Sequence, residues 1–319
     1  MKFIGIDIGG TKCAACLAEV KDKGLTFLKK ESFPTPIGRP YEVLERLYAI
    51  ISEWLHTHNA KSIGISVGGP LDCTKGLIMS PPNLVGWDNI PIVEFFQRKT
   101  GLPTFLSNDA NACALAEWKY GAGRGADNML YLTFGTGLGA GLILNGRLYK
   151  GASGMAGEAG HIRMSYNGPT GYGKVGSLEG FCSGGGIAAM GREYALAALE
   201  KGKTVPLLQR AGSAENISAK LIAELATEGD CACAEIYKKS GAVLGRGLAI
   251  FIDLFNPERI IIGGVYMRSS RLMESSMRQE LQKEGLRESV EVCQILPAEL
   301  GEAVGDYAAL SAAIYRLEN

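Results

Sequence analysis

Two glutamates, Glu158 and Glu179, bracket a lone His161 within GEAGHIRMSYNGPTGYGKVGSLEG, residues 157–180. The stretch is rich in glycine and poor in apolar side chains. It packs no core and suits a small polar ligand. A carboxylate accepts hydrogen bonds from two hydroxyls at once, which fits a polyhydroxylated compound. Upstream, LSNDANACALAEW (106–118) places Asn108 and Asp109 where a strand gives way to a helix. Ser107 or Asn108 can cap that helix, and an acid at position 109 suits its dipole. In an α/β fold the carboxyl ends of strands are also where ligands bind. An Asp there can accept a hydroxyl proton during attack, a role typically worth ~10²–10⁴ in rate.

Two glycine turns carry a second kind of chemistry. DIGGTK (7–12) holds Gly9, Gly10, Thr11 and Lys12, and FGTG (134–137) holds Gly135, Thr136 and Gly137. Without a Cβ, the backbone N–H groups of such turns can approach phosphate oxygens. Thr11, Lys12 and Thr136 add donors. Asp7 is acidic, so its expected partner is Mg²⁺ or a metal-bound water. Aligning Asp7-Ile8-Gly9-Gly10-Thr11 with Thr133-Phe134-Gly135-Thr136-Gly137 gives an offset of 126 residues. A turn duplicated at domain scale predicts two similar lobes facing one cleft, with a nucleotide between them. Two better-known nucleotide motifs fail. GTGLGAG (135–141) leads into a strand, so it is no dinucleotide fingerprint. GKT (202–204) has Ala197 where a phosphate loop needs glycine.

The elements that must position these residues follow from periodicity. Strands are expected at 2–8, 12–20, 25–33, 61–68, 103–107, 128–134, 139–145, 258–264 and 290–295. Helices are expected at 41–57, 91–100, 109–119, 184–200, 216–227, 231–254, 270–283 and 305–317. Strands interleaved with helices give an α/β architecture. Of 319 residues 43 are glycine, consistent with many tight turns, and the formal net charge of zero argues against nucleic acid or an anionic membrane as main partner. GLAIFIDLF (247–255) is too short to span a bilayer. With no h-region at its start and eight scattered cysteines, the chain reads as a reduced cytoplasmic protein. Cys13 and Cys16 lie three apart on a strand and so on opposite faces, which argues against a redox pair. Cys231 and Cys233 lack a second ligand pair, and His56 and His58 near a helix end are expected to be solvated.

DIGGTK, SNDANACALAE (107–117), GTGLGAG, GEAGH (157–161) and LEG (178–180), in this order and spacing, resemble the ROK family (repressor, open reading frame, kinase) along nearly the whole chain. PPNLVGW (81–87) and NPERIIIGG (256–264) resemble its sugar-lobe loop and adenosine-side segment. The resemblance implies a two-lobed, actin-like (hexokinase or ribonuclease H-like) ATPase fold that phosphorylates a sugar with MgATP. It implies an N-terminal lobe of 1–119 completed by a C-terminal helix at 303–319, and a C-terminal lobe of 120–302. Asp109 looks like the base acting on the sugar's primary hydroxyl. Asn108, Glu158, His161 and Glu179 look like ligands of the other hydroxyls, with Gly69 on the same side. Gly9, Gly10, Thr11 and Lys12 look like the first phosphate loop, Gly135, Thr136 and Gly137 like the second, and Gly263 and Gly264 like the adenosine contact. Mg²⁺ is expected near Asp7 through ATP, and a homodimer is expected.

The family commonly carries a zinc site built from the His of GH and three cysteines in a CxCGxxGCxE run. Laid on Glu179, the cysteine positions here are Thr170, Tyr172 and Ser177. Neutral hydroxyls are poor zinc ligands, so no structural zinc is expected. Hydrogen bonds and packing must then hold the loop, with Tyr166 and Tyr172 as candidates. The competing expectations are a sugar-responsive regulator, which would need a DNA-binding module ahead of Asp7, and a sugar-binding protein that has lost catalysis.

Overall fold

A computed structural model describes residues 1–21 and 24–318. Continuous apolar runs make strands covered on both faces, β1 (Lys2–Ile8) and β2 (Lys12–Lys21), followed by the more exposed edge strand β3 (Gly24–Pro34). Helix α1 (Pro40–Leu55) leads to the buried β4 (Ala60–Val67). A small hairpin, β5 (Leu71–Asp72) and β6 (Leu77–Ile78), precedes α2 (Ile92–Thr100) and β7 (Thr104–Asn108). The sheet order is β3-β2-β1-β4-β7, antiparallel through β1 and parallel from β1 to β7. Helix α1 buries Val43, Leu44, Leu47, Ile51 and Trp54, the stripe expected of a 3.6-residue period, against Ile4, Ile6, Ile8, Ile63 and Ile65.

After α3 (Asp109–Tyr120) the plan repeats. Strands β8 (Met129–Phe134), β9 (Leu138–Leu144) and β10 (Arg147–Tyr149) form an antiparallel meander. A two-residue-strand hairpin follows, β11 (Thr170–Gly171) and β12 (Lys174–Val175), then the short α4 (Leu178–Phe181). Helices α5 (Gly184–Glu200), α6 (Pro206–Ala211), α7 (Ala219–Thr227) and α8 (Cys231–Phe255) precede β13 (Arg259–Ile262). Then come α9 (Val265–Glu284), α10 (Arg287–Val292), β14 (Gln294–Pro297) and α11 (Val304–Glu318). The second sheet runs β10-β9-β8-β13-β14, strand for strand the order of the first. The 126-residue offset is therefore a repeat of architecture, with the β1–β2 turn equivalent to the β8–β9 turn.

Between the sheets lie α3 and α11, packed on each other. Helix α11 covers β1 and β4, and α3 covers β8 and β9. Small residues make this approach possible. Gly5 and Gly64 are paired neighbours on β1 and β4, and a Cβ at Gly64 would collide with the Ala309 carbonyl and Ala313 of α11. Among the described residues no helix is long and apolar enough to cross a membrane.

Two sequence expectations need correction. The strand expected over 290–295 begins only at Gln294. Ser289 and Val290 donate instead to the Leu286 carbonyl (3.0 Å each), and the partner strand β13 begins its pairing at Gln294. His58 is half-buried rather than simply solvated, with its Nδ1 3.2 Å from Lys2 Nζ. Cys13 and Cys16 do face opposite sides of the sheet: Cys13 packs with Phe33, Cys16 with Phe3 and Leu310.

Candidate active site

A cleft of about 500 Å³ opens between the sheets at the carboxyl ends of their strands. Asn108, Asp109, Glu158, His161, Glu179 and Gly69 all line it, as do Gly135, Thr136 and Gly137 of the second turn. Residues as far apart in sequence as Gly69 and Glu179 thus share one wall, because β7, β9 and the 157–180 stretch converge there.

The β7-to-α3 junction fixes two of them. Asn108 is the N-cap of α3; its Oδ1 accepts from Ala110 N at 2.9 Å, and Asp109 Oδ1 accepts from the same N–H at 2.8 Å. The other oxygen of Asp109 faces the cleft beside Gly68. Its carboxylate is reachable from the cleft, yet surrounding protein withdraws it from bulk water, and that desolvation pushes its pKa up. Burial likewise raises Glu158, with Asp109 and Glu179 adding repulsion and His161 opposing it. Gly69 leaves room for the Asn108 amide, which a Cβ would touch at 3.4 Å.

Glu179 stands in the first turn of α4, where its Oε2 accepts from Leu138 N at 3.0 Å. This bond ties the Glu179 side of the cleft to the second glycine turn. That turn closes through Gly135 N to Gly137 O (3.0 Å). It is braced by α5, whose Gly184 N donates to Gly135 O (2.7 Å) and Gly185 N to Thr136 O (3.2 Å). The sequence reading missed this SGGG start of α5; three glycines after a capping Ser183 were the available signal. The positive end of the helix dipole there favours an anion at the turn.

The first turn lies at the border of the cleft rather than in its wall. Gly9 N donates to Lys12 O (3.0 Å), and Thr35 Oγ1 donates to Gly9 O (2.6 Å). Gly10, Thr11 and Lys12 are exposed, and Gly10 lies against the Asn83 carbonyl of the PPNLVGW loop, which does line the cleft. Asp7 is half-buried at the end of β1. Burial first, then repulsion from Asp109 and Asp306, lift its pKa from the usual 3.8 to about 6 against the pull of Lys12 and Lys30. Asp306, at the start of α11 and ion-paired with Lys30, was not foreseen. Gly263 and Gly264 also lie outside the cleft wall. A Cβ at Gly264 would strike the Phe134 carbonyl, and its φ of +66° turns the chain into α9 beside the second turn.

The loop of residues 165–180 is ordered, but not by its tyrosines. Tyr166 is 88% exposed and Tyr172 69% exposed, which corrects the expectation that they hold it. Backbone bonds do so instead: Met164 N to Gly176 O (2.8 Å), Gly176 N to Pro169 O (2.9 Å) and Leu178 N to Ile162 O (2.7 Å). Ser177 caps α4, its Oγ accepting from Gly180 N at 3.1 Å, and Lys174 Nζ donates to the His161 carbonyl at 2.7 Å. Thr170 lies exposed in β11.

Residues 3–314 match the ROK family model. A glucokinase of Thermotoga maritima is 34% identical over 283 residues, 88% of this chain and 87% of that protein. An N-acetylmannosamine kinase of Salmonella arizonae is 34% identical over 77% of this chain and 85% of its own length. A ROK glucokinase of Streptomyces griseus, solved with glucose and AMPPNP, superimposes with a TM-score of 0.79 at 31% identity, covering 99% of this chain and 100% of that one. With the duplicated sheets and the cleft between them, these matches establish that the chain belongs to the ROK family and has the actin-like ATPase fold of its sugar kinases.

Proposed function

We propose that the protein transfers the γ-phosphoryl group of ATP to the 6-hydroxyl of a hexose or N-acetylhexosamine, with Asp109 as general base. The sugar-kinase class rests on family membership and on similarity to glucokinases over most of the chain. The observation that carries the finer reading is the single cleft that gathers Asn108, Asp109, Glu158, His161 and Glu179 beside a glycine turn. A pyranose offers several hydroxyls, and this wall offers acceptors in matching number. Asp109 has a free oxygen toward the cleft and a raised pKa, which brings its basicity nearer the working pH. Asn108 and Glu179 are each pinned by one backbone N–H, so their remaining polar atoms are held in place for the ligand.

On the donor side, the two turns would cradle the phosphates through backbone N–H groups, Thr11, Lys12 and Thr136, with Gly263 and Gly264 toward the adenosine. Asp7 fits Mg²⁺ carried by ATP, as a hard oxygen donor crowded by carboxylates whose repulsion a divalent cation relieves. Bound there, the ion would neutralise charge on the transferring phosphoryl group. The α5 start braces the second turn so that its geometry is set before the nucleotide arrives.

Two-dimensional phosphorus–proton correlation of the product formed from glucose or N-acetylmannosamine tests the position of transfer. Coupling of phosphorus to the C6 protons is the expected result. Coupling to the anomeric proton alone contradicts it and removes the role given to Asp109.

A further inference from the structure

A second, smaller cavity of about 30 Å³ adjoins the cleft behind Asn108 and shares Cys73, Asn108, Asn111 and Gly154 with it. By volume it has room for about two waters, so a tetrahedral oxyanion would place its remaining oxygens in the cleft it adjoins. Its walls bring together Lys150, which follows β10, and Arg316 near the end of α11. Lys150 comes from the middle of the chain and Arg316 from its last helix. Burial first, then repulsion by Arg316, disfavour the charge on Lys150, and the Cys73 thiol opposes them. Among the described residues neither cation has an acid partner, although the chain carries as many acids as bases and many of its exposed cations are ion-paired. Two mutually repelling cations at one pocket are a cost to the fold that a bound anion removes.

A third group points the same way. Asn111 lies one helical turn after Asn108 on α3, is 6% exposed and lines both cavities. Its side-chain amide nitrogen is a donor at the pocket wall and can meet a P–O⁻.

We propose that Lys150, Arg316 and Asn111 form an oxyanion subsite opening off the back of the cleft, suited to phosphate. The anion is either free or borne by a sugar whose ring lies in the cleft. The subsite stands on its own geometry and does not depend on the cleft being a kinase site.

Cys73 is a built-in reporter: it is a free, half-buried thiol lining this pocket, and Lys150 and Arg316 both act on it. The rate of iodoacetamide modification at Cys73, read by peptide mass spectrometry without ATP, is compared in inorganic phosphate and in chloride at equal ionic strength. Exposed Cys231 serves as internal control. Phosphate should slow Cys73 several-fold and leave Cys231 unchanged. In Lys150→Met and Arg316→Met, each checked for folding by circular dichroism, the phosphate concentration for half-protection should rise roughly tenfold, the scale of one lost charge-assisted bond. Glucose 6-phosphate protecting at lower concentration than phosphate assigns the anion to a sugar; equal concentrations assign it to the free ion. No protection of the wild type by either compound, or protection undiminished in both variants, overturns the proposal.

Discussion

Asp7 and Asp109 belong to different elements, yet each carboxylate sits in the other's field. For Asp7 the consequence is a stability cost with a definite sign. Its folded pKa of about 6 lies above the usual 3.8, so its contribution to folding is complete below pH 3.8 and is lost as pH rises through 6. Asp7→Asn, which carries no charge at any pH, should therefore be more stable than the wild type above pH 6, by up to about 3 kcal/mol. It should match the wild type near pH 4. Urea unfolding at both pH values without divalent cations measures this; equal stabilities at pH 8 would contradict it. Activity should move the other way, as is usual where strain serves function. For Asp109 the expectation is kinetic: Asp109→Asn should lower kcat by ~10²–10⁴ with a much smaller change in sugar KM. A wild-type kcat/KM that declines on acidification with a midpoint above the ordinary carboxylate value would accord with its burial.

At the scale of elements, the 165–180 hairpin is held by backbone pairing and a helix cap. Ser177, at a position where the family resemblance puts a cysteine, is fully buried and caps α4, directly before Glu179. Ser177→Ala should cost about 0.5–2 kcal/mol, the range for a lost N-cap, and raise the sugar KM by freeing Glu179. Lys174→Met should raise the sugar KM with little loss of stability, because its bond to the His161 carbonyl lies at the exposed surface. Thermal melting and steady-state kinetics separate the two; a KM unchanged in both variants would show that the hairpin does not position the site. In the sequence, Thr170, Tyr172 and Ser177 offer neutral hydroxyls, which are poor zinc ligands. The sequence did not tell what orders the loop, because backbone pairing between Met164, Gly176 and Pro169 shows in residue type only as the glycine at 176, whose Cβ would strike the Ser165 carbonyl. The tyrosines misled too: aromatic residues suggest packing, and here Tyr166 and Tyr172 are mostly exposed, with Tyr172 at the cleft wall.

For the whole molecule, the duplicated turn was readable because glycine and threonine recur at one offset, and the matching sheet orders follow from it. Asp109, Glu158 and Glu179 were readable as carboxylates without a core to serve. Asp306 and the α5 glycines were not, since each matters only through a neighbour distant in sequence. We propose that the lobes, 1–119 with α11 and 120–302, move about the α3–α11 contact, the layer both sheets share. Gly64 keeps that layer close. Gly64→Ala would push α11 off β4 and should destabilise by roughly 1–3 kcal/mol, the usual cost of overpacking. Chemical denaturation reads this directly, and an unchanged midpoint would mean that the helix has slack. The central claim is sugar-dependent phosphoryl transfer in the cleft. It is tested most directly by ADP release from MgATP over a panel of hexoses and N-acetylhexosamines, with Asp109→Asn alongside. Turnover with at least one sugar, abolished in the variant while the sugar still binds, is the predicted result. A folded, ATP-binding wild type that turns over none of them, or a variant as active as the wild type, would contradict it.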